Sequence, residues 1–163
     1  MRRKLWSFLV RLYPAFLRKV YGMHIGNNCV ISWSAHLDKS INPKGIYIGD
    51  NVWILRGAMI LAHDHCRRLK TDVKIGNNSV IGINSVIMPG VVIGSNVVVG
   101  ACSVVTKDIP SGSIVAGNPA KMISSLDKYY NKLKLNQLNE VATLVSEFKK
   151  KNNRFPYLKE LNS

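Results

Sequence analysis

Residues 75–110 read IGNNSV IGINSV IMPGVV IGSNVV VGACSV VTKDIP, six consecutive units of six residues. Each unit begins with an aliphatic residue, and its fifth residue is small or β-branched. A period of six fits neither an amphipathic helix nor a strand that alternates at every second residue. It predicts a short strand and a tight turn in every unit, with three units forming one coil of a solenoid around a shared aliphatic interior. Gly and Asn residues at the corners, as in Gly76–Asn77–Asn78, suit a backbone that needs a positive φ.

The same phase extends toward the N-terminus in two earlier blocks. One reads IGDNVW ILRGAM ILAHDH from Ile48, and the other reads IGNNCV ISWSAH from Ile25. The repeat is interrupted at about residues 37–47 and 66–74, where we expect loops to leave the regular framework. Residues 25–123 therefore hold between five and six coils, loops included.

Positive charge is the most unusual property of the composition. The 163 residues include 23 Lys and Arg but only nine Asp and Glu, a formal net charge of +14 that predicts an anionic partner. Six of the basic residues lie within residues 1–20, and eight lie after residue 127. The three cysteines are widely spaced, which argues against a disulfide framework or a zinc ribbon. Nucleic acid is not an expected partner, because aromatic stacking motifs are absent.

Helical patterns flank the repeat on both sides. In residues 1–22, a helix would align the apolar side chains of Leu5, Phe8, Leu9, Leu12 and Phe16 on one face. Two interpretations of this segment stay open: it rests on an anionic membrane surface, or it packs as a lid over the end of the solenoid. Pro14 is expected to kink or split this helix. The predicted organisation is a basic amphipathic helical segment at 1–22, the solenoid at 23–123 and a C-terminal helical extension at 124–163.

Two further stretches make the repeat more specific. LAHDHCRRLK spans residues 61–70, and VTKDIPSGSIVAGNPAKMI spans residues 105–123. Together with the repeat, they resemble the hexapeptide-repeat acyltransferases, in the branch of galactoside, maltose and capsule-polysaccharide O-acetyltransferases. The resemblance implies an all-β core folded as a left-handed parallel β-helix, here with N-terminal and C-terminal helices. It also implies acetyl-CoA as the acyl donor and a homotrimer with active sites at the subunit interfaces.

The candidate catalytic residues are His63 and His65, which lie where the repeat breaks. Acyl transfer to a hydroxyl needs a base that removes the acceptor's proton, and imidazole suits this role because its pKa lies near neutrality. The HDH motif of capsule-sugar relatives favours His63, whereas ungapped counting from Ile48 favours His65. Both assignments stay open here, with a preference for His63.

Other residues near the interruptions have weaker assignments. Asp38, in the first interruption, and Asp64, between the two histidines, are the candidate substrate-binding residues. Cys66 is interpreted as a bystander thiol, because nothing beyond the neighbouring basic residues would activate it. No metal site is expected, since two close histidines lack a third ligand.

The cofactor-binding residues are assigned by resemblance alone. The positions that match the family's contacts with coenzyme A are Gly82, Ile83, Ala101, Thr106, Lys107 and Lys121. The last three would lie near the adenine and phosphate end, where lysine acts as a point charge for phosphate.

The sequence thus predicts an acetyl-CoA-dependent O-acetyltransferase that acts on a sugar hydroxyl by histidine general-base catalysis. The expected acceptor is a carbohydrate, free or linked to a nucleotide or lipid, in the biosynthesis of a surface polysaccharide such as capsule, O-antigen or exopolysaccharide. The expected location is the cytoplasm, with the option of peripheral contact at the inner face of the membrane. Two alternatives stay open: an acetyltransferase for a small molecule such as an antibiotic or amino sugar, and a β-helix scaffold without enzymatic activity.

Overall fold

The computed structural model describes residues 2–152 of the chain. Helix α1 spans Arg2–Tyr21, and helix α2 spans Leu126–Asn152. The strands between them are, in chain order, β1 (His24–Ile25), β2 (Val30–Ile31), β3 (His36–Leu37), β4 (Ile46–Ile48), β5 (Trp53–Ile54), β6 (Met59–Ile60), β7 (His63–Asp64), β8 (Leu69–Lys70), β9 (Val73–Ile75), β10 (Val80–Ile81), β11 (Val86–Ile87), β12 (Val92–Ile93), β13 (Val98–Val99), β14 (Val104–Val105), β15 (Ser113–Ala116) and β16 (Lys121–Ser125). The chain forms two compact units, of which the first ends at Leu126 and the second begins at Asp127.

The short strands of the first unit stack into three parallel sheets, which we call the first, second and third faces. The first face is β1-β4-β9-β12, the second is β2-β5-β10-β13-β15 and the third is β3-β6-β11-β14. Strand β16 pairs antiparallel with β15 at the end of the second face. In an uninterrupted coil, a residue lies opposite the one eighteen positions later, as Val80 lies opposite Val98. The predicted parallel β-helix with a helix at each end is confirmed.

The interior of the β-helix is a column of aliphatic side chains. The inward-facing residue of each strand is almost completely buried, as Ile54, Ile81 and Val99 are on the second face. The small fifth-position residues also face inward, and their hydroxyl groups bond to the backbone. Ser79 Oγ donates to the Gly94 carbonyl at 3.0 Å, and Ser85 Oγ likewise donates to a backbone carbonyl. Because every coil packs on its neighbours, the strands are stable although most contain only two residues.

The corners need a positive φ, and asparagine supplies it more often than glycine, which does so at Gly57 and Gly90. The asparagines at equivalent corner positions have φ between 54° and 57°: Asn28, Asn51, Asn78, Asn84 and Asn96. Gly76 is required for a different reason, because a Cβ there would lie 2.5 Å from the carbonyl carbon of Gly94 on the next coil. Asparagine tolerates the left-handed region better than most residues. A corner such as Gly76–Asn77–Asn78 therefore uses asparagine for the positive φ and glycine for the close approach to the next coil.

The second half of α1 packs over the first coil. Tyr13 and Leu17 are 3% and 0% exposed, and the Tyr13 ring stacks on Trp33 with centroids 4.5 Å apart. The helix continues through Pro14, so the predicted split does not occur. Gly22, with φ +68°, follows the last turn of the helix. The lid interpretation therefore fits this half of α1.

The predicted apolar face of α1 is described only in part. The side chains of Leu5, Phe8 and Leu9 are not among those that the structure describes. Leu12 and Phe16 are 45% and 47% exposed. Helix α2 was predicted from its apolar spacing and is present, and most of its apolar side chains are exposed. Within residues 2–152, no helix combines the length and apolar character needed to cross a bilayer.

Candidate active site

The two interruptions of the repeat leave the β-helix at the same corner. Strands β3 and β6 are parallel neighbours on the third face, with Leu37 opposite Ile60. Asp38 directly follows β3, and its backbone N–H donates to the Ile60 carbonyl at 3.1 Å. His63 follows Ile60 by three residues. The regular repeat therefore brings two irregular segments together, although they lie 25 residues apart in sequence.

His63 and Asp38 form a hydrogen-bonded pair at this corner. His63 Nδ1 lies 2.5 Å from Asp38 Oδ2, while Asp38 Oδ1 accepts the backbone N–H of Ile41 at 3.2 Å. The Asp38 side chain is fully buried, and that of His63 is 22% exposed. An ionised Asp38 fixes the His63 proton on Nδ1 and leaves the lone pair on Nε2, which is the arrangement a general base needs.

Opposing effects act on the pKa of the Asp38 carboxyl. Burial raises this pKa, but the hydrogen bonds from His63 and from the Ile41 backbone outweigh burial, so the pKa lies below its ordinary value. The Asp38 side chain is buried, and both of its oxygens are engaged within the protein, by His63 and by the Ile41 N–H. This geometry suits a carboxylate that orients His63, and substrate binding by Asp38 stays a prediction.

The loop that contains His63 and His65 is a short hairpin of β7 and β8. In this antiparallel pair, His63 lies opposite Lys70. The turn is closed by Asp64, whose Oδ1 accepts the backbone N–H of Arg67 at 3.1 Å and whose Oδ2 accepts Arg67 Nε–H at 2.7 Å. These bonds from Arg67 also lower the pKa of the Asp64 carboxyl. Substrate binding by Asp64 stays a prediction, although Arg67 engages both of its oxygens.

A cavity of about 210 Å³ lies beside the hairpin and contains both candidate histidines. Its lining residues are Ile41, His63, Asp64, His65, Arg68, Leu69 and Lys70. The rings of His63 and His65 stand edge to face with centroids 5.6 Å apart. His63 alone of the two is hydrogen-bonded to a carboxylate among the described residues. The geometry therefore favours His63 over His65 as the candidate base, and a role for His65 stays a prediction.

The predicted cofactor-binding residues lie at two corners. Gly82, Ile83 and Ala101 lie on adjacent coils at the corner between the second and third faces, where the Ile83 carbonyl accepts the Cys102 N–H at 2.8 Å. A Cβ on Gly82 would lie 2.5 Å from the Val99 carbonyl oxygen, so only glycine fits there. The remaining residues are exposed, at the corner after the third face or at the start of β16: Thr106, Lys107 and Lys121. Their role stays a prediction.

Two further residues with reactive side chains, His24 and Cys66, do not join the His63–Asp38 pair. His24 stacks on Tyr47 on the first face, with ring centroids 4.4 Å apart. Cys66 is an exposed free thiol at the hairpin turn. Among residues 2–152, no group of three His, Cys, Asp or Glu side chains could hold a metal ion.

Comparisons with known proteins agree with the fold. Residues 72–107 match the family described as bacterial transferase hexapeptide (six repeats). Protein CapG of Staphylococcus aureus is 40% identical, over 82% of this chain and 87% of its own length. A hexapeptide-repeat acetyltransferase of Vibrio cholerae, solved with acetyl coenzyme A, is 28% identical with a TM-score of 0.57, over 69% of this chain and 75% of that one. A maltose O-acetyltransferase of Clostridium difficile is 29% identical with a TM-score of 0.55, over 76% of this chain and 86% of that one.

Proposed function

This chain belongs to the bacterial hexapeptide-repeat transferases and is an acetyltransferase of that family, and we propose that it transfers the acetyl group of acetyl-CoA to a sugar hydroxyl. The observation that carries the proposal is the His63–Asp38 pair, a buried carboxylate holding a partly exposed imidazole at the rim of a cavity. The likeness to a maltose O-acetyltransferase supports a carbohydrate acceptor. A surface polysaccharide or its precursor is the acceptor class we propose.

The proposed chemistry is direct transfer with His63 as the base. His63 Nε2 takes the proton of the acceptor hydroxyl while the hydroxyl oxygen bonds to the thioester carbonyl carbon. The carbon–sulfur bond then breaks, and the imidazolium returns its proton to the departing thiolate of coenzyme A. Asp38 stays ionised throughout and stabilises the imidazolium through the Nδ1–H bond. Asp38 is therefore a positioning residue, and the reaction needs no covalent acyl-enzyme.

The donor is proposed to lie along the corner formed by Gly82, Ile83 and Ala101. Gly82 and Ile83 lie on one coil, and Ala101 lies at the same corner of the next coil. Their backbone groups therefore follow one another along the axis of the β-helix. A pantetheine arm is long and carries amide groups, which such a row of backbone donors and acceptors can bind. Lys107 and Lys121 are exposed cations suited to the phosphates.

A homotrimer is proposed from the outward-facing side chains. On the second face these are apolar on every coil: Val30, Trp53, Val80, Val98 and Ile114. On the first face they include His24, Tyr47 and Lys74. Trp53 is exposed and the other four are partly exposed, and an apolar column of this length on a surface is typical of a subunit interface. Side-by-side packing would also bring the His63 corner of one copy against the Ile83 corner of the next.

Light scattering tests the assembly. We expect a mass three times the 18.2 kDa of one chain, and we expect Trp53→Glu to shift the protein to monomers because it places a charge in the apolar column. Val92→Glu, at an exposed apolar position on the first face and outside that column, is the control. A monomeric wild-type protein would refute the trimer.

Peripheral contact with an anionic membrane is proposed through α1. The exposed Leu12 and Phe16 can enter the headgroup region, while the exposed Arg18 and Lys19 meet anionic lipids. Such a location at the inner face of the membrane would place the enzyme near lipid-linked sugars. Sedimentation with anionic vesicles, compared with neutral vesicles, tests the contact, and Phe16→Ser should weaken it. Equal sedimentation with both vesicle types would count against it.

Acetyl transfer itself is tested by following the thiol released from acetyl-CoA with a panel of free, nucleotide-linked and lipid-linked sugars. We expect an ester product that hydroxylamine cleaves, and we expect activity to fall by about 10²-fold or more in His63→Ala. His24→Ala removes an exposed histidine from the first face and serves as the control. An amide product would favour the small-molecule or amino-sugar alternative. Activity that is equal in wild type and His63→Ala would remove the proposed site.

A further inference from the structure

Four basic residues follow the catalytic histidines, and the structure separates them into two pairs. Arg67 is engaged by Asp64 at the turn, with Nε 2.7 Å from the carboxylate. Lys74 lies on the first face, where its ammonium group is 5.6 Å from the centroid of the Tyr47 ring. Arg68 and Lys70 instead line the cavity that contains His63. The second pair is thus at the reacting centre, and the first pair is not.

The hairpin fixes the position of Lys70 relative to the base. Lys70 lies directly opposite His63 in the antiparallel ladder, and the Thr71 N–H donates to the Ala62 carbonyl at 3.1 Å beside that pair. Residues opposite one another in such a ladder share a face, with Cβ atoms about 5 Å apart. Arg68 is held at the turn with φ +53°, and its N–H donates to the His65 carbonyl at 3.3 Å. Two cationic side chains therefore flank the cavity on a defined backbone.

The charge of this cavity is not balanced within the protein. The two nearby carboxylates are already engaged, Asp38 by His63 and Asp64 by Arg67. In the described part of the chain, no carboxylate lies within ion-pair distance of Arg68 or Lys70. A cavity with two uncompensated cations attracts an anionic ligand, and arginine binds phosphate and carboxylate groups in a bidentate manner.

Coenzyme A does not suit these two cations. The base must lie beside the thioester, and Lys70 is the cross-strand neighbour of that base. The phosphates of coenzyme A are at the opposite end of the pantetheine arm from the thioester. An anion bound by Arg68 and Lys70 must therefore belong to the acceptor.

Building on the function proposed above, we propose that the acceptor carries an anionic group close to the hydroxyl that is acetylated, and that Arg68 and Lys70 bind this group. The shared chemistry is a phosphate or carboxylate oxygen. A phosphate would come from a sugar linked to a nucleotide or lipid, and a carboxylate would come from an acidic sugar. In either case, the two residues select the acceptor and orient its hydroxyl toward His63.

Binding of three probes to the full-length protein tests this inference without turnover. Glucose 1-phosphate, glucuronic acid and glucose are titrated by calorimetry at low ionic strength. We expect the cavity to bind at least one of the two anionic probes, and to bind it more tightly than glucose. The probe that binds tighter identifies phosphate or carboxylate as the source. Equal binding of all three probes, or no binding of any, would overturn the inference.

Matched variants place the binding in the cavity. Arg68→Ala and Lys70→Ala should each weaken binding of the anionic probe by about tenfold or more, the loss expected for one charge-assisted hydrogen bond. Lys74→Ala removes the same charge four residues after Lys70, on the first face and outside this cavity, and should change affinity by less than about twofold. An equal loss in all three variants would indicate only a general effect of charge and would overturn the inference.

Titration of the same proteins with acetyl-CoA separates this inference from the proposed function. We expect Arg68→Ala and Lys70→Ala to bind acetyl-CoA as the wild type does, because the donor's phosphates lie elsewhere. If acetyl-CoA binds and the anionic probes do not, the anionic acceptor is refuted and the transferase function stands. If the wild type does not bind acetyl-CoA, the proposed function itself fails.

Discussion

Replacing Asp38 by Asn tests whether this buried carboxylate makes His63 a base. During transfer His63 becomes an imidazolium, and a carboxylate whose charge centre is about 4 Å away stabilises that cation by about 4 kcal/mol at an effective dielectric constant near 20. The amide of Asp38→Asn retains a neutral hydrogen bond worth about 1 kcal/mol. The difference of about 3 kcal/mol corresponds to a decrease in kcat of about 10²-fold. We expect the KM for acetyl-CoA to stay the same, because Asp38 is buried and both of its oxygens are engaged within the protein.

The assay measures thiol release at saturating acetyl-CoA across a range of pH. Asp50→Asn is the matched control, because it removes a carboxylate that accepts the Asn27 backbone N–H at another corner and does not line the His63 cavity. Thermal unfolding of each variant shows whether a loss of rate reflects a loss of folded protein. A decrease in kcat of less than about threefold in folded Asp38→Asn would refute the positioning role.

Further predictions concern the second histidine, the core and acid stability. His63→Ala should lower kcat by about 10²- to 10⁴-fold, whereas His65→Ala should lower it by less than about tenfold, and equal losses would contradict the assignment of the base. Ile81→Ala, at a fully buried position, should lower the free energy of unfolding in urea by about 2–5 kcal/mol, while Ile83→Ala, 42% exposed, should cost less than about 1 kcal/mol. The lowered pKa of Asp38 contributes stability that is present above its unfolded pKa of about 3.9 and is lost as pH falls through the folded value. Urea midpoints measured from about pH 6 to about pH 3 should therefore fall less steeply in Asp38→Asn than in wild type, and parallel curves would contradict this linkage.

The fold could be predicted because its rule is local and is repeated. Each unit places one aliphatic residue inward, as Ile75, Ile81 and Ile87 do, and each coil packs only on its neighbours. Errors arose where one residue was considered alone. Pro14 was expected to kink or split α1, and no split occurs: the helix is continuous, and Tyr13 and Leu17 on either side of Pro14 are buried.

The site could be predicted only in part, because its parts meet across irregular segments that carry no period. His63 was singled out from its place at a break in the repeat, but its hydrogen bond to Asp38 was not predicted. A signal for their pairing exists in the sequence: both breaks follow the third unit of a coil, after Leu37 and after Ile60, so both loops leave from one corner. The position of Lys70 beside His63 depends on a hairpin register that the sequence alone does not specify.

Both loops are extra lengths of chain in an otherwise uniform repeat, and this arrangement separates what keeps the protein folded from what makes it active. Fifteen positions separate Ile60 from Ile75, where six would continue the repeat, so nine residues can be removed without changing the phase of any coil. A chain shortened in this way would keep its column of buried aliphatic residues and lose the hairpin. The same scaffold can therefore acquire a new acceptor by exchange of one loop, while the coils that come before and after it stay as they are.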